Sequence, residues 1–222
     1  MKAMVLAAGR GERLRPLTDR VPKPLLTIGG KPLIARVIEQ LVINGIHDLV
    51  INTSWLADSL EQRLGDGREL DAIIVFSREP PGALGTAGGI VEALPLLGNA
   101  PFVVVNADVF TDYPFANLEL QADMLAQLVL IDNPAHVPAG DFNLDGDTVV
   151  SVAPAPYTFS GIGLYHPSMF ASLSRGERAL GPLLHTAARQ RCLGGEHYEG
   201  LWLDVGTPER LAVANNEVTG RD

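Results

Sequence analysis

The chain has 222 residues, 46% of them hydrophobic and only 6% aromatic, enough to bury roughly 70–75% of its unfolded surface in one well-cored domain. A net charge of −9 argues against sequence-independent binding to nucleic acid or a membrane surface, because either needs a basic face. The lone Cys192 rules out an internal disulfide, no amino-terminal apolar stretch precedes a cleavage site, and no run approaches the ~18 apolar residues of a span, so a cytoplasmic protein is expected.

In chain order, apolar runs of strand length are expected to form strands at 3–6, 49–52, 73–76, 102–105 and 128–131. Pro32 opens a segment with Leu33, Ile34, Val37, Ile38, Leu41 and Val42 on one face, closed by Asn44-Gly45, the pattern of an amphipathic helix. Thr53 or Ser54 is placed to cap a second helix carrying Leu56, Leu60 and Leu64. The stretch from Asp132 to Gly146 reads as loops, 148–152 and 159–165 as strands, and 182–191 as a helix. Residues 194–205 read as a strand pair or one extended strand, and Pro208 begins a terminal helix. This βαβα order predicts an α/β fold, a doubly wound, mostly parallel, Rossmann-like sheet with helices on both faces. Ligands in such sheets sit beyond the carboxyl ends of the strands, so the loop after Leu6 and the residues up to Asp108 are expected to share a cleft.

The first loop holds the densest chemistry. Gly9 and Gly11 let backbone N–H groups approach phosphate oxygens, and Arg13 and Lys23 add full positive charges across a proline-punctuated loop. Leu14 stands where a dinucleotide fingerprint needs its third glycine, and no Walker motif occurs. A fully apolar run, Phe102 to Val105, delivers Asn106-Ala107-Asp108, and Leu201-Trp202-Leu203-Asp204-Val205-Gly206-Thr207-Pro208 delivers a second carboxylate before a helix. Carboxylates converging with phosphate oxygens suit Mg²⁺, a hard ion, and the five histidines are scattered. In Glu79 to Gly89 a glycine-rich turn is expected to enter a helix, with Gly85, Gly88 and Gly89 letting a flat ligand lie against backbone.

Leu6-Ala7-Ala8-Gly9-x-Gly11-x-Arg13-Leu14-x-Pro16-Leu17-Thr18, followed by Pro22-Lys23-Pro24, resembles the signature of the sugar-1-phosphate nucleotidylyltransferases. The resemblance implies a nucleotidyltransferase type A-like fold whose residues 1–131 hold a nucleoside triphosphate and whose residues 132–222 hold a sugar 1-phosphate, with no appended left-handed β-helix. It implies catalytic roles for Arg13, Lys23 and Asp108, and Mg²⁺ on Asp108 and Asp204. Nucleotide contacts would come from Ala7, Ala8, Gly9, Gly11, Arg13, Lys23, Glu79 and Gly85, with Glu79 able to accept from uracil N3–H or from guanine N1–H and N2–H. Sugar contacts would come from Gly88, Asn106, Asp141, Asn143 and Gly161, with Asn143 or Arg189 approaching an acidic substituent.

The carboxyl half, in Leu128 to Pro134, Gly140-Asp141-Phe142, Thr158 to Ile162 and Gly195 to Tyr198, resembles the branch of peptidoglycan recycling that joins UTP to N-acetylmuramate 1-phosphate. Leu84-Gly85-Thr86-Ala87-Gly88-Gly89 is equally at home in mannose- and heptose-phosphate guanylyltransferases. A non-catalytic regulatory homologue would be expected to lack Arg13, Lys23, Asp108 or Asp204, and all are present.

Overall fold

The computed structural model describes residues 1–80 and 84–219. Its first half runs β1 (Lys2–Leu6), β2 (Thr27–Ile28), β3 (Lys31–Pro32), α1 (Leu33–Ile43), β4 (Asp48–Thr53), α2 (Ala57–Leu64), β5 (Ile73–Arg78), α3 (Gly85–Leu97), β6 (Phe102–Asn106), β7 (Val109–Thr111) and β8 (Ala126–Asp132). There follow β9 (Asn143–Asp145), β10 (Thr148–Val150), β11 (Tyr157–Tyr165), α4 (Gly181–Arg189), β12 (Leu193–His197), β13 (Trp202–Asp204) and α5 (Pro208–Thr219).

The frame is a nine-stranded sheet in the order β5-β4-β1-β6-β11-β8-β12-β10-β9. The run β5-β4-β1-β6 is parallel, as the alternation of strands and helices predicts. β11 lies antiparallel between β6 and β8, β12 runs parallel to β8, and the hairpin of β9 and β10 closes the far edge. Strand β1 is buried through Ala3, Met4 and Val5, and its alternation serves both faces. Ala3 and Val5 meet α1 and α2 residues such as Ile34, Val37, Ile38 and Leu60. Met4 meets Ile90 and Val91 of α3 in the layer that also holds Leu184 and Ala187 of α4. A third cluster joins Leu14 and Ile28 to Val205 and Ala214, clamping the first loop to α5. No described helix is long and apolar enough to cross a membrane.

Three local expectations change. Thr53 stays in β4 and donates to Glu61 Oε1 at 2.7 Å, and Leu56 adopts φ 51°, so the chain turns there and α2 opens at Ala57 with no side-chain cap. Residues 143–145, read as loop, pair with β10 at the sheet edge. Gly88 and Gly89 lie inside α3 rather than in a ligand-facing turn. A side chain at Gly88 would strike the Gly176 carbonyl, and one at Gly89 would sit 2.5 Å from Glu79 Oε1, so both glycines serve helix packing. Pro81 to Ala83 of the same stretch lie outside the described residues.

Candidate active site

Register brings the carboxyl ends of three parallel strands level: Leu6 stands opposite Asn52 of β4 on one side and Asn106 of β6 on the other. The Ala107 N–H donates to Leu6 O at 3.0 Å, so the segment carrying Asp108 turns directly over the start of the glycine loop. Here lies a cavity of about 270 Å³ lined by Ala7, Ala8, Gly9, Lys23, Glu79, Gly85 and Asp108 among others. The loop after Leu6 and Asp108 thus share a cleft, and inside it Lys23 Nζ donates to Asp108 Oδ2.

The loop is held by its own fabric. Gly11 adopts φ 68°, and a Cβ there would press to 3.0 Å on both Lys23 Cβ and Thr18 Cγ2. Its carbonyl accepts from Leu14 N at 3.0 Å and from Thr18 Oγ1 at 2.8 Å. Leu14 is fully buried, an anchor worth about 1.5–3 kcal/mol. Arg10, whose role was not legible in the sequence, lies 3.5 Å over the Trp55 ring and bridges to Asp19 at 3.0 Å, while Trp55 Nε1 donates to Thr18 O at 2.9 Å. Gly11 thus shapes the loop without lining the cavity. Arg13 is exposed and does not line the cavity; its Nη2 lies 3.0 Å from where a Cβ of Gly206 would stand.

Asn52 is the residue that sequence reasoning missed inside the cavity, although it ends an expected strand and only its burial signals the role. Its Oδ1 accepts from Ala7 N at 2.7 Å and its Nδ2 donates to Glu79 Oε1 at 2.7 Å. Glu79 is 6% exposed. Burial pushes its carboxyl above the ordinary carboxylate range, against the pull of the hydrogen bonds from Asn52 and Leu84 N.

A second cavity of about 450 Å³ adjoins the first, and Leu6, Gly85, Thr86 and Asn106 line both. Asp141 and Gly161 line it, and Asp141 Oδ2 accepts from Phe159 N at 2.9 Å. Gly161 occupies a register shift between Phe159 and Gly163 of β11, with φ 80°. A Cβ there would collide with the Asn106 amide, so the bulge lets β11 close on Asn106. Gly88 and Asn143 line neither cavity. The Asn143 Nδ2 donates to Pro154 O at 3.3 Å and its Oδ1 accepts from Leu144 N at 2.8 Å, and Arg189 is exposed at the end of α4 with Nη2 3.3 Å from Thr186 Oγ1.

Asp204 reaches the site through a small ribbon that the sequence did not reveal, since β7 was not anticipated. β13 pairs antiparallel with β7, Asp204 faces Val109, and Val205 N donates to Asp108 O at 2.9 Å. The two carboxylate residues are therefore brought together at one ribbon end, but they face different hollows. Asp204 lines a neighbouring one with His136 and Arg210, and Arg210 Nη1 lies 2.7 Å from both of its oxygens. Both carboxylates are oxygen donors of the kind a hard divalent cation takes, but with Asp204 paired to Arg210 in a separate hollow they do not form a ready-made site, and no cluster of three or more His, Cys, Asp or Glu side chains occurs among the described residues. Asp108 Oδ1 has no described hydrogen bond, whereas both Asp204 oxygens are occupied by Arg210.

The nucleotidyl transferase family model matches residues 2–142. The chain is 49% identical over 225 aligned positions to the N-acetylmuramate alpha-1-phosphate uridylyltransferase of Neisseria meningitidis serogroup B, with 96% of each chain covered. It is 34% identical to the enzyme of the same name from Caulobacter vibrioides, covering 96% of this chain and 94% of that one. In fold it is similar to a UDP-glucose pyrophosphorylase solved with UDP-glucose, with a TM-score of 0.80 at 21% identity over 100% of this chain and 99% of that one. A glycine loop closed by Lys23 and Asp108 at the carboxyl edge of a parallel sheet, together with matches of this extent, shows that the chain belongs to the nucleotidyl transferase family.

Proposed function

We propose that this enzyme transfers UMP from UTP to N-acetylmuramate 1-phosphate, giving UDP-N-acetylmuramate and pyrophosphate. The observation that carries the reaction is the wall shared by the two cavities: a nucleotide in the smaller and a sugar phosphate in the larger would meet beside Asn106, within reach of Lys23 and Asp108. The choice of acceptor and base is supported by the 49% identical relative of that name.

The sugar phosphate is already anionic, so its oxygen attacks the α-phosphorus in line as the α–β bridge breaks and pyrophosphate departs, with no side chain to deprotonate. The protein's task is to align two anions and offset the charge that builds between them. Lys23 exchanges Asp108 for the α-phosphate oxygens. Arg13 receives the β- and γ-phosphates, and the backbone of Ala7, Ala8 and Gly9 holds nucleotide. Glu79 faces the base, and Asn106, Asp141 and Gly161 face the sugar. Asp108 and Asp204 would hold Mg²⁺, which when bound supplies Lewis-acid neutralisation of phosphate oxygens.

The test is product mass after incubation with Mg²⁺, UTP or GTP, and N-acetylmuramate, N-acetylglucosamine, mannose or heptose 1-phosphate. UDP-N-acetylmuramate is expected as the favoured product. A preference for GTP with mannose or heptose 1-phosphate would overturn the assignment.

A further inference from the structure

An acceptor that carries a carboxylate needs a donor in its pocket, because an acid desolvated without one is costly. Among the described residues lining the larger cavity there is no lysine or arginine, and Asp141 and Glu177 are acids. The side chain that can offer an N–H to an anion there, with charge when protonated, is His185.

Its setting leaves Nε2 as the ring nitrogen without a described partner. His185 lies on α4, and its ring rests on Phe142 with centroids 4.7 Å apart. Its Nδ1 is 3.0 Å from Ser151 Oγ, and Ser151 lines a separate hollow on the far side. With the Ser151 hydroxyl donating to Nδ1, the proton of the neutral ring sits on Nε2, which points away from Ser151 and has no described partner. Ala179, Leu180 and Gly181 at the start of α4 line the same cavity, so the positive end of the helix dipole lies on the same side. The acids do not compete for the role: Asp141 is tied to the Phe159 N–H, which suits it to accept from a sugar hydroxyl, and Glu177 is exposed.

We propose that His185 is a specificity-determining residue of the acceptor pocket, its Nε2–H hydrogen-bonding the lactyl carboxylate that distinguishes N-acetylmuramate 1-phosphate from N-acetylglucosamine 1-phosphate. The inference rests on the acceptor proposed above. It moves the expected donor from Asn143 or Arg189 to His185, which lies on α4 and lines the cavity.

The experiment compares kcat/KM for the two sugar phosphates, at saturating UTP, in the wild type, His185→Phe and His185→Gln. Phenylalanine keeps a ring against Phe142 without a donor, whereas glutamine can present its amide N–H close to the Nε2 position. The wild type is expected to prefer N-acetylmuramate 1-phosphate by roughly 10–200-fold, the phenylalanine variant to lose about tenfold or more of that ratio, and the glutamine variant to recover most of it. An unchanged ratio in His185→Phe, or an equal fall on both sugars, overturns the role. A wild type that uses both sugars equally with UTP overturns it too while leaving uridylyl transfer standing. A wild type active only with GTP or with other sugars overturns the parent reading instead.

Discussion

Asn52 donates to Glu79 through Nδ2 at 2.7 Å while its Oδ1 receives the Ala7 N–H at the same distance, so one buried amide ties the start of the glycine loop to the buried Glu79 carboxyl. Both ends of that bridge are positioned by it. Asn52→Ala would leave the Ala7 amide and one Glu79 oxygen unpaired in a site with little access to water, at about 1–3 kcal/mol each. The variant should melt lower than the wild type and show a raised KM for the nucleotide, with the KM for the sugar phosphate much less affected. Equal changes in both KM values would show that Asn52 supports the cleft as a whole.

Lys23 and Arg13 stand differently, one paired with Asp108 inside the cavity and the other exposed near Gly206. Each is directed at charge that develops during transfer, so Lys23→Ala and Arg13→Ala should each lose on the order of 10²–10³-fold in kcat, or ~3–4 kcal/mol of stabilisation. Circular dichroism and melting should show a retained fold. Turnover near that of the wild type in either folded variant contradicts the assigned role.

The metal proposal predicts strong coupling between residues far apart in sequence. Asp108→Asn and Asp204→Asn should each raise the Mg²⁺ concentration needed for half-maximal rate, and the double variant should lose far less than the product of the single losses, since ligands of one ion act as a unit. Isothermal titration of Mg²⁺ into the protein with a non-hydrolysable UTP analogue gives a readout independent of turnover. Strictly multiplicative losses would assign the carboxylates separate tasks, and full activity in excess chelator would remove the ion.

Glu79 gives a pH prediction. Burial, and more weakly Glu92, hold its carboxyl above the ordinary range. With the folded pKa above the unfolded one, the stabilisation is complete below the unfolded pKa and is lost as pH rises through the folded value. Glu79→Gln keeps an acceptor for Asn52 and carries no charge, so it should melt above the wild type at neutral pH, and the gap should close as the pH falls into the ordinary carboxylate range. A gap that does not change between those limits would mean that Glu79 ionises freely in the folded protein.

What the sequence made legible was what local patterning determines. The runs around Val5 and Val104 specified the parallel core, and the glycine, arginine and lysine pattern from Gly9 to Lys23 located the phosphate loop. Strand order alone put the loop after Leu6 and Asp108 in one cleft, and Ala7, Ala8, Gly9 and Asp108 line the same cavity. The features that local pattern did not convey have a common cause, because they depend on partners distant in sequence. Gly88 looks like a ligand-facing glycine until Gly176 is seen against it, and Asn143 looks like a sugar contact until its amide is found on Pro154. Asn52, His185 and Arg210 occur in no motif, and their roles arise from the cavity walls that Glu79, Phe142 and Asp204 complete.

The position of β11 between β6 and β8 has a consequence for biosynthesis. A nascent chain that has emerged only as far as Asp132 holds the phosphate loop and Asp108, yet the free side of β6, rich in valine, has no neighbour until Tyr157–Tyr165 arrives. Such an open strand edge can template pairing with other chains, so the interval between synthesis of β6 and β11 leaves the parallel core with an uncovered edge. The ribbon of β7 and β13 forms later still, and with it the second carboxylate arrives. A partly made chain is therefore exposed to aggregation well before it can perform any chemistry.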